Sequence, residues 1–188
     1  TPVEAWTSKE KLLALGEFDR KLEVLNEDNI ARYEDFLDQF PSVDVPNNED
    51  GWNNLDLQDK VYAQPDYSDT TWRVVNLPGS VEDIEKENID GAFWFRRKVC
   101  IEDSSTGYKL IISGGIDDMD DTYINGKCIG MTHCWNCPRE YIVPQNLLVK
   151  GENTIAIRVI DTGGGGGFEG RMLLVSDSGK EIPIDGEW

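Results

Sequence analysis

At 188 residues, with 39% hydrophobic and 29% charged residues, the chain is long enough to bury a core without metal or disulfide support. Its formal net charge of −18 repels nucleic-acid phosphates and anionic membranes, so the composition speaks against nucleic-acid binding and leaves a neutral ligand compatible. An apolar run of about 18 residues, the minimum for a membrane-spanning helix, is missing, so no membrane insertion is expected.

The opening TPVEAWTSKEKLLALGEF lacks the basic start, unbroken apolar stretch and small-residue cleavage site of a secretory leader. Residues 1–50 form an acidic helical segment and linker, with 13 acids against 5 bases. Apolar residues at Leu15, Phe18, Leu22, Leu25, Ile30, Tyr33, Phe36, Leu37 and Phe40 follow steps of three and four, which is one stripe on a helix. Ser8 marks a cap near its start and Pro41 its stop. The stripe serves either a partner or, the expected case, packing on the rest of the molecule. Pro41–Asp50 is a linker.

From residue 51 to 188 the pattern changes to short strands between turn signals. Strands are expected at Thr71–Asn76, Ala92–Ile101, Tyr108–Ser113, Thr122–Ile124, Lys127–Ile129, Glu140–Val143, Thr154–Ile160, Arg171–Ser176 and Glu181–Ile184. Turns lie at Pro78-Gly79, Ser104–Gly107, Lys150-Gly151 and Ser178-Gly179, and Asn125-Gly126 is the strongest hairpin signal. Close-spaced strands without alternating helices predict a mainly β fold, an antiparallel sandwich or barrel. Ile155, Ile157 and Val159 would face its core, with Arg158 on the other face.

Asp117, Asp118, Asp120 and Asp121 are the densest carboxylate cluster, read as a weak metal (calcium) site, an acid/base centre or buried Asp–Arg pairing. Successive strand residues point to opposite faces, so only about half of the four could converge, and pairing is the expected outcome. Arg96, Arg97, Arg139, Arg158 and Arg171 are available partners. No cofactor is expected. Cys134 and Cys137 have the spacing of a redox pair but lie in a β-rich loop, and zinc would need two more ligands, for which His133 and Cys128 are close in sequence. Two loop thiols, free or oxidised to each other, are the expected state. The run Gly163–Gly167 has no Gly-Lys-Ser/Thr ending for a phosphate loop, and reads as a ligand-facing loop or a bend packed on a neighbouring domain. Of Trp72, Phe93, Trp94, Phe95 and Trp135, at least one of residues 93–95 belongs to the core, while Trp135 and Phe168, in loops, are the better sugar-stacking candidates. No Gly-x-Ser-x-Gly elbow is present, and His133 reads as a surface loop residue.

Several motifs in order carry a resemblance. They are Trp72 with Leu77-Pro78-Gly79, Asp90 through Arg97, Gly115-Ile116-Asp117-Asp118, and Tyr123-Ile124-Asn125-Gly126. Pro138 through Pro144, Gly151 through Ile155, and Arg158 through Asp161 before the glycines complete the series. Residues from about 70 to 175 resemble the galactose-binding-like jelly roll inside sialate O-acetylesterase-like enzymes. The resemblance implies a jelly-roll β-sandwich, an accessory, non-catalytic role, and an SGNH-type hydrolase domain of the same parent protein as partner, with carbohydrate contact. It implies an esterase activity for that parent only, because no nucleophile of the family falls on any position here. It also implies a periplasmic or secreted protein. Asp117, Asp118, Arg139, Asp161, Trp135 and Phe168 would form the ligand-facing or interdomain surface. The sugar-binding domains of family 2 glycoside hydrolases share the Tyr123–Gly126 and Gly151–Ile155 patterns and are the second expectation. A free-standing carbohydrate-binding module is the third.

Overall fold

The computed structural model describes residues 17–40, 46 and 48–188. These residues divide, after residue 44, into two compact units. The first contains helix α1 (Glu17–Leu37), which follows the predicted stripe. Leu22, Leu25 and Ile30 on that stripe are exposed. The cap at Ser8, the stripe's first residue Leu15 and most of the linker at 41–50 lie outside the described residues.

The second unit is a β-sandwich. Its front sheet has the order β2 (Gly91–Ile101), β8 (Gly151–Asp161), β5 (Met119–Ile124), β6 (Lys127–His133). Its back sheet has the order β11 (Glu181–Pro183), β10 (Met172–Ser176), β3 (Tyr108–Ile112), β7 (Arg139–Val143). Every pairing within these two sheets is antiparallel. Two short pairs complete the unit: β1 (Asn76–Leu77) with β12 (Gly186–Glu187), and β4 (Gly115–Asp117) with β9 (Gly167–Glu169).

The longest ladder joins β2 to β8, from Gly91 opposite Asp161 to Ile101 opposite Gly151. Alternation along β8 sends Ile155, Ile157 and Val159 to one face and Ala156, Arg158 and Ile160 to the other, yet all six are buried. Both faces are covered because residues 49–75 form a strap over the outside of the front sheet. Trp52, in helix α2 (Glu49–Asn54), packs with Met119 and Ile160, and Ala63, in a 3₁₀ turn (Asp59–Ala63), packs with Tyr123, Ala156 and Trp94. Burying side chains of this size contributes roughly 1.5–3 kcal/mol each. Arg96 ties the strap down from below. Its Nε donates to Asp69 Oδ2 at 2.9 Å, and its remaining nitrogens donate to the carbonyls of Tyr62, Gln64 and Tyr67.

The hairpin at Asn125-Gly126 forms as expected, with φ of 48° and 80° at its two central residues, the left-handed pair that such a turn demands. The Asn125 side chain also donates to Leu147 O and Asn153 Oδ1 and accepts from Thr154 N, which locks the turn onto the loop before β8.

Three local expectations differ from the structure. Thr71–Asn76 is not a strand: only Asn76 pairs in β1, because this segment runs out of the strap, with Val74 exposed. The short pair β4–β9 places the end of the glycine run in a ladder. Helix α3 (Val81–Glu85), capped by the Ser80 hydroxyl accepting from Asp83 N at 3.1 Å, occupies a stretch with no predicted element.

Candidate functional site

Asp120 and Asp121 are adjacent on β5 and therefore point to opposite faces of the front sheet. Asp120 points into the sandwich. Its Oδ1 accepts from Arg139 Nε at 2.7 Å, and its two oxygens accept from Tyr141 OH at 3.0 Å. Thr122 Oγ1 donates to Oδ2 at 2.6 Å. Burial pushes the Asp120 carboxyl upward, and Thr122 and Arg139 pull it back. Burial likewise raises Tyr141, with Asp120 adding to the effect. Asp121 points outward under the strap, 3.3 Å from Arg158 Nη1. Asp59 Oδ2 lies 3.0 Å from Arg158 Nε and accepts from Trp94 Nε1 at 2.8 Å. The cluster thus holds two structural Asp–Arg pairs, where one pair with the other carboxylates solvated is the sequence expectation, and among the described residues no group of three His, Cys, Asp or Glu is placed to hold a metal.

Arg139 is a positioning residue rather than an exposed contact. Its Nη1 donates to the carbonyls of Cys134 (2.7 Å) and Cys137, and its Nη2 donates to Ile116 O at 2.6 Å. A single buried guanidinium therefore ties the 134–137 loop to β4. Cys134 and Cys137 are bonded to each other, which removes both from the zinc reading. Between them Trp135 stands 63% exposed, and His133 is exposed at the end of β6. Phe168 differs from its expected loop placement. It lies in β9 at 3% exposure, edge-on to Phe95 and 6.4 Å from Trp188, so it packs in the core and offers no ring to a ligand. Of the 93–95 aromatics, Phe95 is the buried one.

Asp117 ends β4 and Asp118 links it to β5, both partly buried. Asp118 Oδ2 accepts from Thr162 N (2.8 Å) and Thr162 Oγ1 (2.7 Å). Burial, then hydrogen bonding with Asp118 and the charges of Asp118, Glu169 and Glu82, push the Asp117 carboxyl up to about 6. Asp161, the last residue of β8, is fully buried; burial pushes it up to about 7, with Glu82 and Asp90 adding to the shift against one backbone bond from Gly163. The glycine segment leaves Asp161 and folds back on α3. Val81 N donates to Gly166 O at 2.8 Å, Gly166 N donates to the Glu82 carboxylate at 3.2 Å, and Phe168 N donates to Gly79 O at 3.0 Å. No sequence motif marks Glu82 itself. The Ser80-x-x-Asp83 capping pattern that positions it is the signal that could have found it.

Asp117, Asp118 and Asp161 therefore share one acidic end of the sandwich with the glycines. Arg139 connects that end, through Ile116, to the disulfide loop that carries Trp135. Carboxylates dominate the end and two of them are raised towards neutrality, so it suits proton exchange or contact with neutral polar groups more than the binding of anions.

No family model matches the chain, and no curated protein matches it either. Solved structures do share its fold. A β-glucuronidase of Bacteroides uniformis superposes with a TM-score of 0.54 at 19% identity, over 60% of this chain and 15% of that one. A β-glycosidase of Bacteroides vulgatus gives 0.52 at 20%, over 62% and 18%. A glycosyl hydrolase family 2 member from Bacteroides cellulosilyticus gives 0.50 at 23%, over 58% and 17%. The chain thus spans less than a fifth of the length of these proteins. The neighbours overturn the sialate O-acetylesterase resemblance, and what they share with this chain is the β-sandwich fold. The motifs behind that resemblance include turn and strand-end signals, such as Asn125-Gly126 and Gly151–Ile155, that serve the sandwich itself. They report the fold more than the esterase.

Proposed function

We propose that this chain is a non-catalytic β-sandwich module of a family 2-type glycoside hydrolase, a sugar-binding domain that accompanies a catalytic domain on the same polypeptide. The observation that carries the reading is the shared sandwich, which in the matching glycosidases accounts for 15–18% of the chain. The site chemistry is consistent with it. The buried arginines and aspartates are engaged in holding loops, and the acidic end suits a neutral sugar better than an anionic one. The Cys134–Cys137 disulfide supports a periplasmic or secreted location. The membrane enters only negatively: no helix among the described residues is long and apolar enough to cross one.

The test is activity with and without this module's neighbours. The full-length gene product should hydrolyse p-nitrophenyl β-glycosides, and this chain alone should not. A full-length product inactive on a β-glucuronide, β-galactoside and β-mannoside panel would overturn the reading, as would turnover by the chain alone.

One observation favours a second reading, a module that itself binds carbohydrate. Trp135 is exposed and held at the tip of a disulfide-closed loop, the arrangement that a sugar ring stacks on. Titration of the chain with neutral β-glycosides should then quench its tryptophan fluorescence, and Trp135→Ala should abolish the change. No quenching at millimolar sugar would leave the accessory reading alone.

A further inference from the structure

Asp161 Oδ2 is buried and accepts no hydrogen bond from any protein donor. Its partner oxygen, Oδ1, accepts from Gly163 N at 3.0 Å. The unsatisfied oxygen faces Gly166 of the glycine run. A Cβ on Gly166 would sit 2.5 Å from it, and the N–H of the same glycine donates to the Glu82 carboxylate at 3.2 Å, so the two carboxyls converge on Gly166. A buried, charged oxygen with no donor is costly, and two carboxylates in contact cannot both ionise cheaply. A single proton between them removes both penalties.

We propose that Asp161 and Glu82 form a proton-sharing latch. With the proton on Asp161 Oδ2 and donated to Glu82, the glycine segment 163–167 is closed on α3; loss of that proton to water opens the segment.

The geometry explains why opening would be local. Glu82 holds Gly166 N, and the adjoining backbone bonds Val81 N to Gly166 O and Phe168 N to Gly79 O close the same few residues. Repulsion between the two carboxylates acts directly on this contact. Beyond burial and the Gly163 backbone bond, the charged groups that act on Asp161 are Glu82 on α3 and Asp90 just before β2, both acidic. Glu82 also acts on Asp117 of β4, beside Asp118 and Glu169 of β9. Asp118 keeps Thr162 anchored through its own two hydrogen bonds, so the hinge lies beyond Thr162, among Gly163, Gly164 and Gly165. A Cβ would meet nothing within 4 Å at Gly163 or Gly164, and only the Glu82 carboxylate at 3.7 Å at Gly165, so this stretch has room to move. Burial raises Asp161 to about 7, which puts the transition near neutrality. The inference does not depend on the carbohydrate reading.

The experiment is amide exchange on the full chain, with protection factors for Gly166 and Phe168 corrected for intrinsic rates between about pH 5.5 and pH 8.5. Protection of both amides should fall about tenfold or more as pH passes 7. Asp161→Asn, whose carboxamide donates to Glu82 without titrating, should keep protection level across the range. If that variant fails to fold, Glu82→Gln supplies the same hydrogen bond from the other side and should flatten the profile. The Asp161 side-chain carboxyl ¹³C shift should titrate near 7 in the unmodified chain. A midpoint near 4, level protection in the unmodified chain, or an unchanged pH profile in the folded variants would overturn the latch.

Discussion

Arg139 Nε lies 2.7 Å from Asp120 Oδ1, and neither side chain reaches solvent. One residue belongs to the back sheet and the other to the front, so the pair bridges the sandwich. The arginine also holds three carbonyls, two from the 134–137 loop and one from β4. Removing the carboxylate leaves a buried cation, and removing the cation leaves a buried anion and three carbonyls short of a donor. Asp120→Ala and Arg139→Ala should each cost about 3–5 kcal/mol in urea unfolding, and the double variant should cost less than their sum. Strict additivity would mean that the two do not act as a pair.

Asp161 and Asp117 set a pH dependence of defined sign. Both are raised above their ordinary value of 3.8, to about 7 and about 6, so the native state binds more protons than the unfolded chain between those values. Stability therefore falls as pH rises from about 4 to about 7 and levels off above, at about 1.4 kcal/mol per unit of displacement for a buried group. Urea midpoints at pH 5 and pH 8 measure this. The unmodified chain should be less stable at pH 8, and Asp161→Asn should narrow the gap.

The Cys134–Cys137 bridge closes a loop with a sequence separation of 3, so its effect on the unfolded chain is small. Chain-entropy reasoning gives about 2 kcal/mol for so short a loop. Arg139 grips both cysteine carbonyls independently of the bond. The double variant Cys134→Ser/Cys137→Ser should therefore unfold about 2 kcal/mol more easily while keeping its native Arg139–Asp120 contact, readable from the Arg139 Nε–H resonance.

Gly130 and Gly151 separate two reasons for glycine. A Cβ on Gly130 would run into the Tyr141 ring, whose hydroxyl serves Asp120; Gly151 has open space around it but a φ of 101°. Gly130→Ala should cost about 1–3 kcal/mol through forced repacking. Gly151→Ala should cost roughly 1 kcal/mol through backbone strain alone. Thermal unfolding of both variants tests the order, and a neutral Gly130→Ala would mean that β6 can shift away from Tyr141.

The long strands were legible because alternation and the Asn125-Gly126 turn are local properties. β2, β3, β7 and β8 fall within a few residues of their expected limits. That an aspartate of the 117–121 cluster would pair with an arginine was expected, and alternation along β5 explains why Asp120 and Asp121 meet different ones. Which arginines they meet was not legible, because five were available and only the packing of β7 against β5 brings Arg139 to Asp120. Phe168 looked like a loop residue because glycines precede it, but a three-residue ladder with β4 turns it inward. The strap was illegible for a similar reason. Its contacts are made by Trp52, Asp59 and Ala63 with residues far along the chain, and nothing local announces them.

Arg97 offers a last consequence, one of mechanical tension. Its Nη1 donates to the carbonyls of Ile184, Asp185 and Glu187, and β12 adds only two ladder positions against β1. A force applied at Trp188 would load these few contacts before any of the eleven positions between β2 and β8. Together with the two backbone bonds between Val75 and Trp188, these contacts should yield to such a force while the two sheets stay joined.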